Sequence, residues 1–288
     1  MKRVTSRRGN TYEILYGADI CDATLSSKTK KYFDRLMEID SDVFGGEDKG
    51  DDCVYVGDVS GYIDRFGYVE DTKQGQYRLD STAGVVDNIV AVAKDDRILG
   101  YINYLTMDDE LHNEIIHPDV EAYLADPARR DDGITGSQLR QWSKDKPNNL
   151  FILSVAVDKE YQDSDVIKVL TNSFREELVQ KQKDGYDVTS ISADTVSDHG
   201  EKFAKMIRCD IAEEHGKKVI LPAPESDESG HDVTVRVCEG KNMELLLQKG
   251  FDFSHHDKTP GPLRTKSRRG FEFESLFAEP TKDLELNF

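Results

Sequence analysis

Between Asn149 and Gly185 the spacing of apolar residues changes period once. Phe151 to Val157 is an apolar run rich in branched side chains and broken only by Ser154, which predicts a strand covered on both faces. From there on, Val166, Ile167, Leu170, Phe174 and Leu178 recur every three to four positions, with Lys168, Arg175, Glu176 and Gln180 between them. That spacing predicts a helix with one wet face. Asp163 or Ser164 can cap its first amides, and Gly185 can end it in the left-handed conformation. A strand that enters a helix through a tight turn gathers backbone N–H groups and the positive end of the helix dipole at one point, which attracts phosphate.

The remaining pattern surrounds this unit. Thr11 to Tyr16 reads as a strand. A helix capped by Ser26 or Ser27 follows, with Tyr32, Phe33, Leu36, Met37 and Ile39 on one face and Lys28, Lys30, Lys31, Asp34 and Arg35 on the other. Gly45 to Leu79, rich in Gly, Asp and Tyr, reads as an insertion whose strand-like pieces are Val54 to Val56 and Tyr68 to Val69. Val86 to Thr106 carries a hairpin signal, two apolar runs separated by Lys94 to Arg97. Met107 to Asn148 is polar and mixed, with short helices expected at Pro118 to Leu124 and Gln138 to Trp142. Asp187 to Ala193 is a second buried strand, parallel to the first if the helix between them is a crossover. Asp198 opens a helix through Phe203, Met206 and Ile207. Pro222 to Asp232 is an acidic linker, after which Val233 to Val237 alternates as a strand and Asn242 to Lys249 reads as a helix.

Composition narrows the class. The 288 residues, 37% hydrophobic and 33% charged, can bury a sizeable core, as one large domain or as one of about 200 residues with additions. A net charge of -18 argues against nucleic acid or an anionic membrane as the main partner, and is compatible with a cationic substrate such as an amine. Cys21, Cys53, Cys209 and Cys238 form no C-x-x-C pair, so a reducing cytoplasm is the expected home. The basic N-terminus is not followed by an apolar segment, and no run long enough to span a bilayer occurs. His112 and His117 in HNEIIH stand five apart, which is not the spacing that puts two ligands on one helix face, so no metal is expected. No G-x-S-x-G, P-loop or G-x-G-x-x-G pattern occurs.

Val157-Asp-Lys-Glu-Tyr-Gln-Asp-Ser-Asp-Val-Ile167 resembles the acyl-CoA-binding motif of the GNAT superfamily of N-acetyltransferases, Val-x-Pro-x-Tyr-(Arg/Gln)-x-x-Gly-x-(Gly/Ala). Ile89 to Ala93, Asp95 to Arg97 and Ile98 to Ile102 resemble the second and third strands of that family with their turn. Phe203-Ala-Lys-Met-Ile-Arg-Cys209 resembles its Leu-Tyr-x-Lys-x-Gly-Phe, and Ile211 to His215 with Lys218 to Leu221 resembles its closing hairpin. An alternative alignment places the last strand and helix at Val233 to Phe251 and makes Ser197 to Glu228 the insertion; the first is favoured.

The resemblance implies an α/β fold, a mixed and mostly antiparallel sheet flanked by helices and containing a splayed parallel strand pair. It implies a domain over residues 1–222, with the insertion at about 45–79, and a C-terminal extension over 223–288 that packs on or completes it. Acetyl-CoA is the implied co-substrate, held by the backbone of Val155, Ala156 and Val157 and by the turn of Gln162, Asp163, Ser164, Asp165, Val166 and Ile167. The implied acceptor is a small-molecule or peptide amine.

Three departures from the family pattern bear on the chemistry. Asp165 and Ile167 stand where glycine or alanine is usual, and with Asp163 the Asp165 carboxylate is expected to add negative charge where a pyrophosphate would sit, at a cost on the order of 1–3 kcal/mol. Ala204 replaces the tyrosine that protonates the departing thiolate, which leaves Asp194 and Ser197 as the nearest polar candidates for catalysis. The rival expectation is a GNAT-fold protein that has lost catalysis and serves as a binding module. Lys258 to Arg269, basic and free of acids, reads either as a solvated loop or as a cationic contact to a CoA phosphate.

Overall fold

A computed structural model describes residues 1–44, 66, 68–71, 76–79, 88–120, 141–162, 164–222 and 232–251. The apolar run and its helix form as expected, as β7 (Asn148–Val157) and α4 (Val166–Lys183), joined by a single 3-10 turn, Lys159–Tyr161. Gly185 ends the unit at φ +90, a conformation that costs a residue without Cβ little. β8 (Val188–Thr195) returns parallel to β7, so α4 is a crossover.

Antiparallel strands extend the sheet on both sides. On one side lie β6 (Arg97–Met107), β5 (Ile89–Lys94), β2 (Thr11–Tyr16) and the short edge strand β1 (Lys2–Thr5). On the other, β13 (Val233–Glu239) pairs with β8 along Thr234 to Glu239. The favoured alignment is corrected here. Asp210–Ile211 (β9) and Ile220–Leu221 (β12) are edge pieces paired to β13, and Glu213–Glu214 (β10) with Lys217–Lys218 (β11) form a separate two-residue hairpin. The later segment takes the place beside β8, as in the alternative alignment, because β13 presents seven residues to the sheet where those pieces present two each.

Helices cover both faces. On the first, α4, α5 (Asp198–Met206) and α6 (Gly240–Lys249) pack over Ile102, Tyr104, Leu150, Ile152, Ile191 and Ala193. On the second, α2 (Ser27–Phe44) packs over Ala91, Ala93, Tyr101 and Ala156, and α3 (Asp109–Ile116) over Leu105, Met107, Phe151 and Val237. A four-residue helix, α1 (Gly17–Ile20), links β2 to α2. The α3 segment lies in the stretch whose sequence is polar and mixed. Asp108 caps it through Leu111 N at 3.0 Å, and Leu111, Ile115 and Ile116 are buried under it. Within the expected insertion, Tyr68–Asp71 (β3) pairs with Gln76–Leu79 (β4), while Val54 to Val56 lies outside the described residues. Most of the two helices expected between Pro118 and Trp142 also lies outside them, and Trp142 itself is not helical. Lys258 to Arg269 is outside as well.

Candidate active site

β7 and β8 part company halfway along. Their parallel pairing begins at Asn148 with Val188 and ends at Ile152 with Ala193, yet β7 runs on to Val157 against β6 and β8 runs on to Thr195 against β13. The cause lies in β7 itself. Asn103 of β6 faces Ser154 while the next residue, Tyr104, faces Ile152, so Leu153 is an extra residue without a partner. Such a bulge bends the strand and increases its twist. Leu153, Ser154 and Val155 are correspondingly half-buried in a strand whose other residues are buried. A strand turns alternate backbone units to opposite edges, so Leu153 to Val157 offer N–H and C=O groups to the widening gap.

The gap is closed off below by a tight packing of β6, β7 and α4. A Cβ on Gly100 would stand 2.9 Å from Ala156 O, 3.1 Å from Val157 Cγ2 and 3.2 Å from Val166 Cγ1, so only glycine lets these three elements meet. Beyond Val157 the chain is pinned. Asp158 is buried, ion-paired to Arg35 of α2 and to Arg97 at 3.2 Å, and accepts from Glu160 N at 2.9 Å. Arg35 also donates through Nε to Ile98 O at 3.0 Å. Arg35 lies on the face of α2 that periodicity marks as wet, yet is only 8% exposed.

Several amides of the turn that follows are bonded within it. Tyr161 N and Ser164 N bond within the turn, to Asp158 O at 2.8 Å and Tyr161 O at 3.0 Å. Ser164 Oγ accepts from Val166 N at 3.2 Å, and Gln162 Nε2 reaches Val157 O at 3.5 Å. The first intrahelical bond of α4 runs from Val169 N to Asp165 O, so the first turn of the helix leads with its amides. Asp163 lies outside the described residues. The expectation for the Asp165 carboxylate is not met. It points away from the turn, is 5% exposed, accepts from Tyr12 Oη, and lies 3.4 Å from Asn10 Nδ2. Burial pushes its pKa up, but the polar groups of Ser6, Tyr12 and Asn10 outweigh this and hold it below the ordinary carboxylate range. Burial and the same contact push the Tyr12 hydroxyl pKa up. Neutral donors of the β1–β2 hairpin thus stabilise the negative charge of Asp165, and Oδ1 is turned to Tyr12 and not to the turn. Val166 and Ile167 are buried under the helix and present backbone only.

Asp194 stands one residue past the last parallel pair, on the β8 side of the gap, in register with Val235. Ser197 is exposed and caps α5 through Gly200 N at 3.1 Å. Ala204 is fully buried in α5 and supplies no hydroxyl. Two residues that the pattern did not single out also face the site. Tyr101 and Asn103 of β6, opposite Ala156 and Ser154, are fully buried polar side chains. Alternation along β6 would have placed them on one face, but a polar pair inside an apolar run gives no sign of what it meets. Among the described residues no cluster of three or more His, Cys, Asp or Glu is arranged to hold a metal ion, and no helix is long and apolar enough to cross a membrane.

No protein-family model matches the chain, and no curated protein does. Among solved structures it is similar to the ribosomal-protein-S18-alanine N-acetyltransferase from Escherichia coli, at 8% identity over 78% of this chain and 92% of that one, TM-score 0.39. It is similar to the loading GNATL domain of CurA from Lyngbya majuscula, at 11% identity over 80% and 98%, TM-score 0.42. A third, Arabidopsis thaliana Naa50 in complex with the bisubstrate analogue CoA-Ac-MVNAL, matches at 11% identity over 78% and 97%, TM-score 0.40.

Proposed function

We propose that the chain is an acyltransferase of the GNAT type, which transfers the acetyl group of acetyl-CoA to an amine. One observation carries this reading: the hydrogen bonding between β7 and β8 stops at Ile152 and Ala193 while both strands continue. That leaves an edge at Leu153 to Val157 on which an amide-bearing arm can lie as a missing strand. The pyrophosphate would meet the N-terminus of α4 and those amides of Gln162 to Ile167 that the turn does not itself use, where a negative charge is stabilised by about 0.3–1 kcal/mol from the dipole alone. Asp165 keeps its charge, but its carboxylate is bonded to Tyr12 and not to these amides.

In this reaction the amine nitrogen bonds to the thioester carbon and the carbon–sulfur bond breaks. Edge amides of β7 polarise the carbonyl oxygen as charge develops there. Asp194 takes the proton of the ammonium, directly or through water, and releases it to solvent; the second N–H proton, lost as the amide forms, reaches the departing sulfur through solvent, since Ala204 offers no acid. The net charge of -18 favours a cationic acceptor. Residues 1–222 with the segment 232–251 act as one unit on this reading, and the free thiols of Cys209 and Cys238 suit a reducing compartment such as the cytoplasm.

A second reading, binding without transfer, is favoured by Ala204. Incubation with acetyl-CoA and a panel of amines, followed by mass spectrometry, separates the two. A mass gain of one acetyl group on any amine, lost in Asp194→Asn, supports transfer; saturable CoA binding with no acetylated product supports the binding module.

A further inference from the structure

Most large buried amides in this protein are satisfied. Asn88 Nδ2 donates to Thr106 Oγ1 at 2.9 Å, Asn148 Nδ2 donates to Ser143 O at 2.7 Å, and Asn149 donates to Asp109 and accepts from Thr189 and Ser190, each within 2.8 Å. Asn103 is different. It is fully buried, and neither Nδ2 nor Oδ1 meets a hydrogen-bond partner; two residues earlier on the same strand, the Tyr101 hydroxyl is also buried without one. Three orphaned polar atoms on neighbouring positions are costly, because each was stripped of water on folding and given nothing in return.

Their position gives the cost a purpose. Residues two apart share a face of a strand, and Tyr101 belongs to the cluster under α2, so both lie on the α2 side of the sheet. In register they stand beside Ala156 and Ser154, at the bulge where β7 leaves β8. Asp194, across the gap, pairs with Val235, which packs under α3 on that same face. The three orphaned atoms and the candidate base thus lie on one face of the sheet, beside the edge on which the thioester would lie.

We infer that Tyr101 and Asn103 form an acceptor subsite that selects an amine bearing a neutral amide, as a peptide-like substrate does; the inference rests on the transferase reading above. A carboxamide presents one donor and one acceptor in a plane, which an amide group answers with its own C=O and N–H. The tyrosine hydroxyl supplies a further donor to the same carbonyl. The orphaned atoms are themselves neutral, so a carboxylate or a second ammonium gains no opposite charge from them. A site that buries polar groups for a substrate also rejects analogues lacking the matching groups, since those groups then stay unpaired.

The test uses the full chain, with a dipeptide amide and an alkylamine of matched length as probes. The ratio of kcat/KM for the two, together with calorimetric titration of CoA and of the dipeptide amide separately, is measured for the wild type, Asn103→Leu and Tyr101→Phe. The wild type should prefer the dipeptide amide by about tenfold or more. Asn103→Leu should erase that preference, Tyr101→Phe should reduce it, and both should keep CoA binding and an unchanged or higher Tm, because each removes an unpaired buried group. No preference in the wild type, or a preference that survives Asn103→Leu, overturns the inference. So does a clear fall in Tm for Asn103→Leu, which would mean the carboxamide is held by trapped water as part of the core. Absence of CoA binding in the wild type defeats the transferase reading instead, and the dipeptide amide titration then decides the subsite alone: heat that Asn103→Leu abolishes supports it, and no heat in the wild type refutes it.

Discussion

Asp158, the residue immediately after β7, forms a buried ion pair with Arg35 near the middle of α2. Both side chains are under 10% exposed, at 3% and 8%, so neither can fall back on water if the other is removed. Arg35→Ala should cost about 3–5 kcal/mol of unfolding free energy by leaving a carboxylate buried with reduced compensation. Arg97, 47% exposed, is the weaker partner, and Arg97→Ala should cost under about 1 kcal/mol. Urea unfolding of the two variants checks the order, and equal losses would contradict it.

Gly100→Ala should destabilise the protein by about 1–3 kcal/mol, since the nearest obstacle, Ala156 O at 2.9 Å, is backbone and cannot rotate away. The strain falls where β6, β7 and α4 meet, so CoA affinity should drop with stability. A variant with wild-type Tm would show that the three elements are less closely packed than described.

Asp165 gives a prediction opposite to the one its position in the motif suggests. A glycine there restores the family pattern, yet Asp165→Gly strips Tyr12 of its acceptor and should cost about 1–3 kcal/mol without raising CoA affinity. The pH dependence follows from the lowered carboxyl pKa. The native state holds this proton less tightly than the unfolded chain, so the contribution is complete above the ordinary value of 3.8 and is lost as pH falls through the native pKa. Thermal melts from neutral pH down to acid, for the wild type and Asp165→Asn, should therefore converge only at acid pH.

His112 lies 6% exposed on α3, and its pKa is lowered, first by burial and then by His117, with Asp109 opposing. A depressed histidine pKa makes stability complete above the unfolded value of 6.5 and reduces it as pH falls below that value. The wild type should lose Tm between neutral pH and about pH 5, and His112→Leu should lose less of it. Parallel melting curves would refute the assignment.

How much of this was readable beforehand differs by element. β7, α4, β8 and the β5–β6 hairpin announce themselves because a change of apolar period survives any detail of packing. The gap between β7 and β8 did not follow from pattern alone; the GNAT resemblance supplied it, and the bulge at Leu153 explains it. α3 could have been found from Asp108 and the spacing of Leu111, Ile115 and Ile116, had the charged residues between them not masked it. β1 carries two cations in four residues, three of them exposed, and reads as a basic arm. The direction of a side chain was the least legible quantity. Arg35 and Asp165 both sit at positions whose pattern says wet, and both turn inward because a charge of the opposite sign or a hydroxyl waits there from more than 100 residues away in the chain. Periodicity does not encode such partners.

Calorimetric titration of the wild-type chain with CoA tests the central claim most directly. The account predicts a saturable heat corresponding to one site per chain, weakened in Gly100→Ala. No heat at millimolar CoA from a folded protein would contradict it, because the open edge of β7 and the amides before α4 would then be features of architecture that hold no thioester carrier.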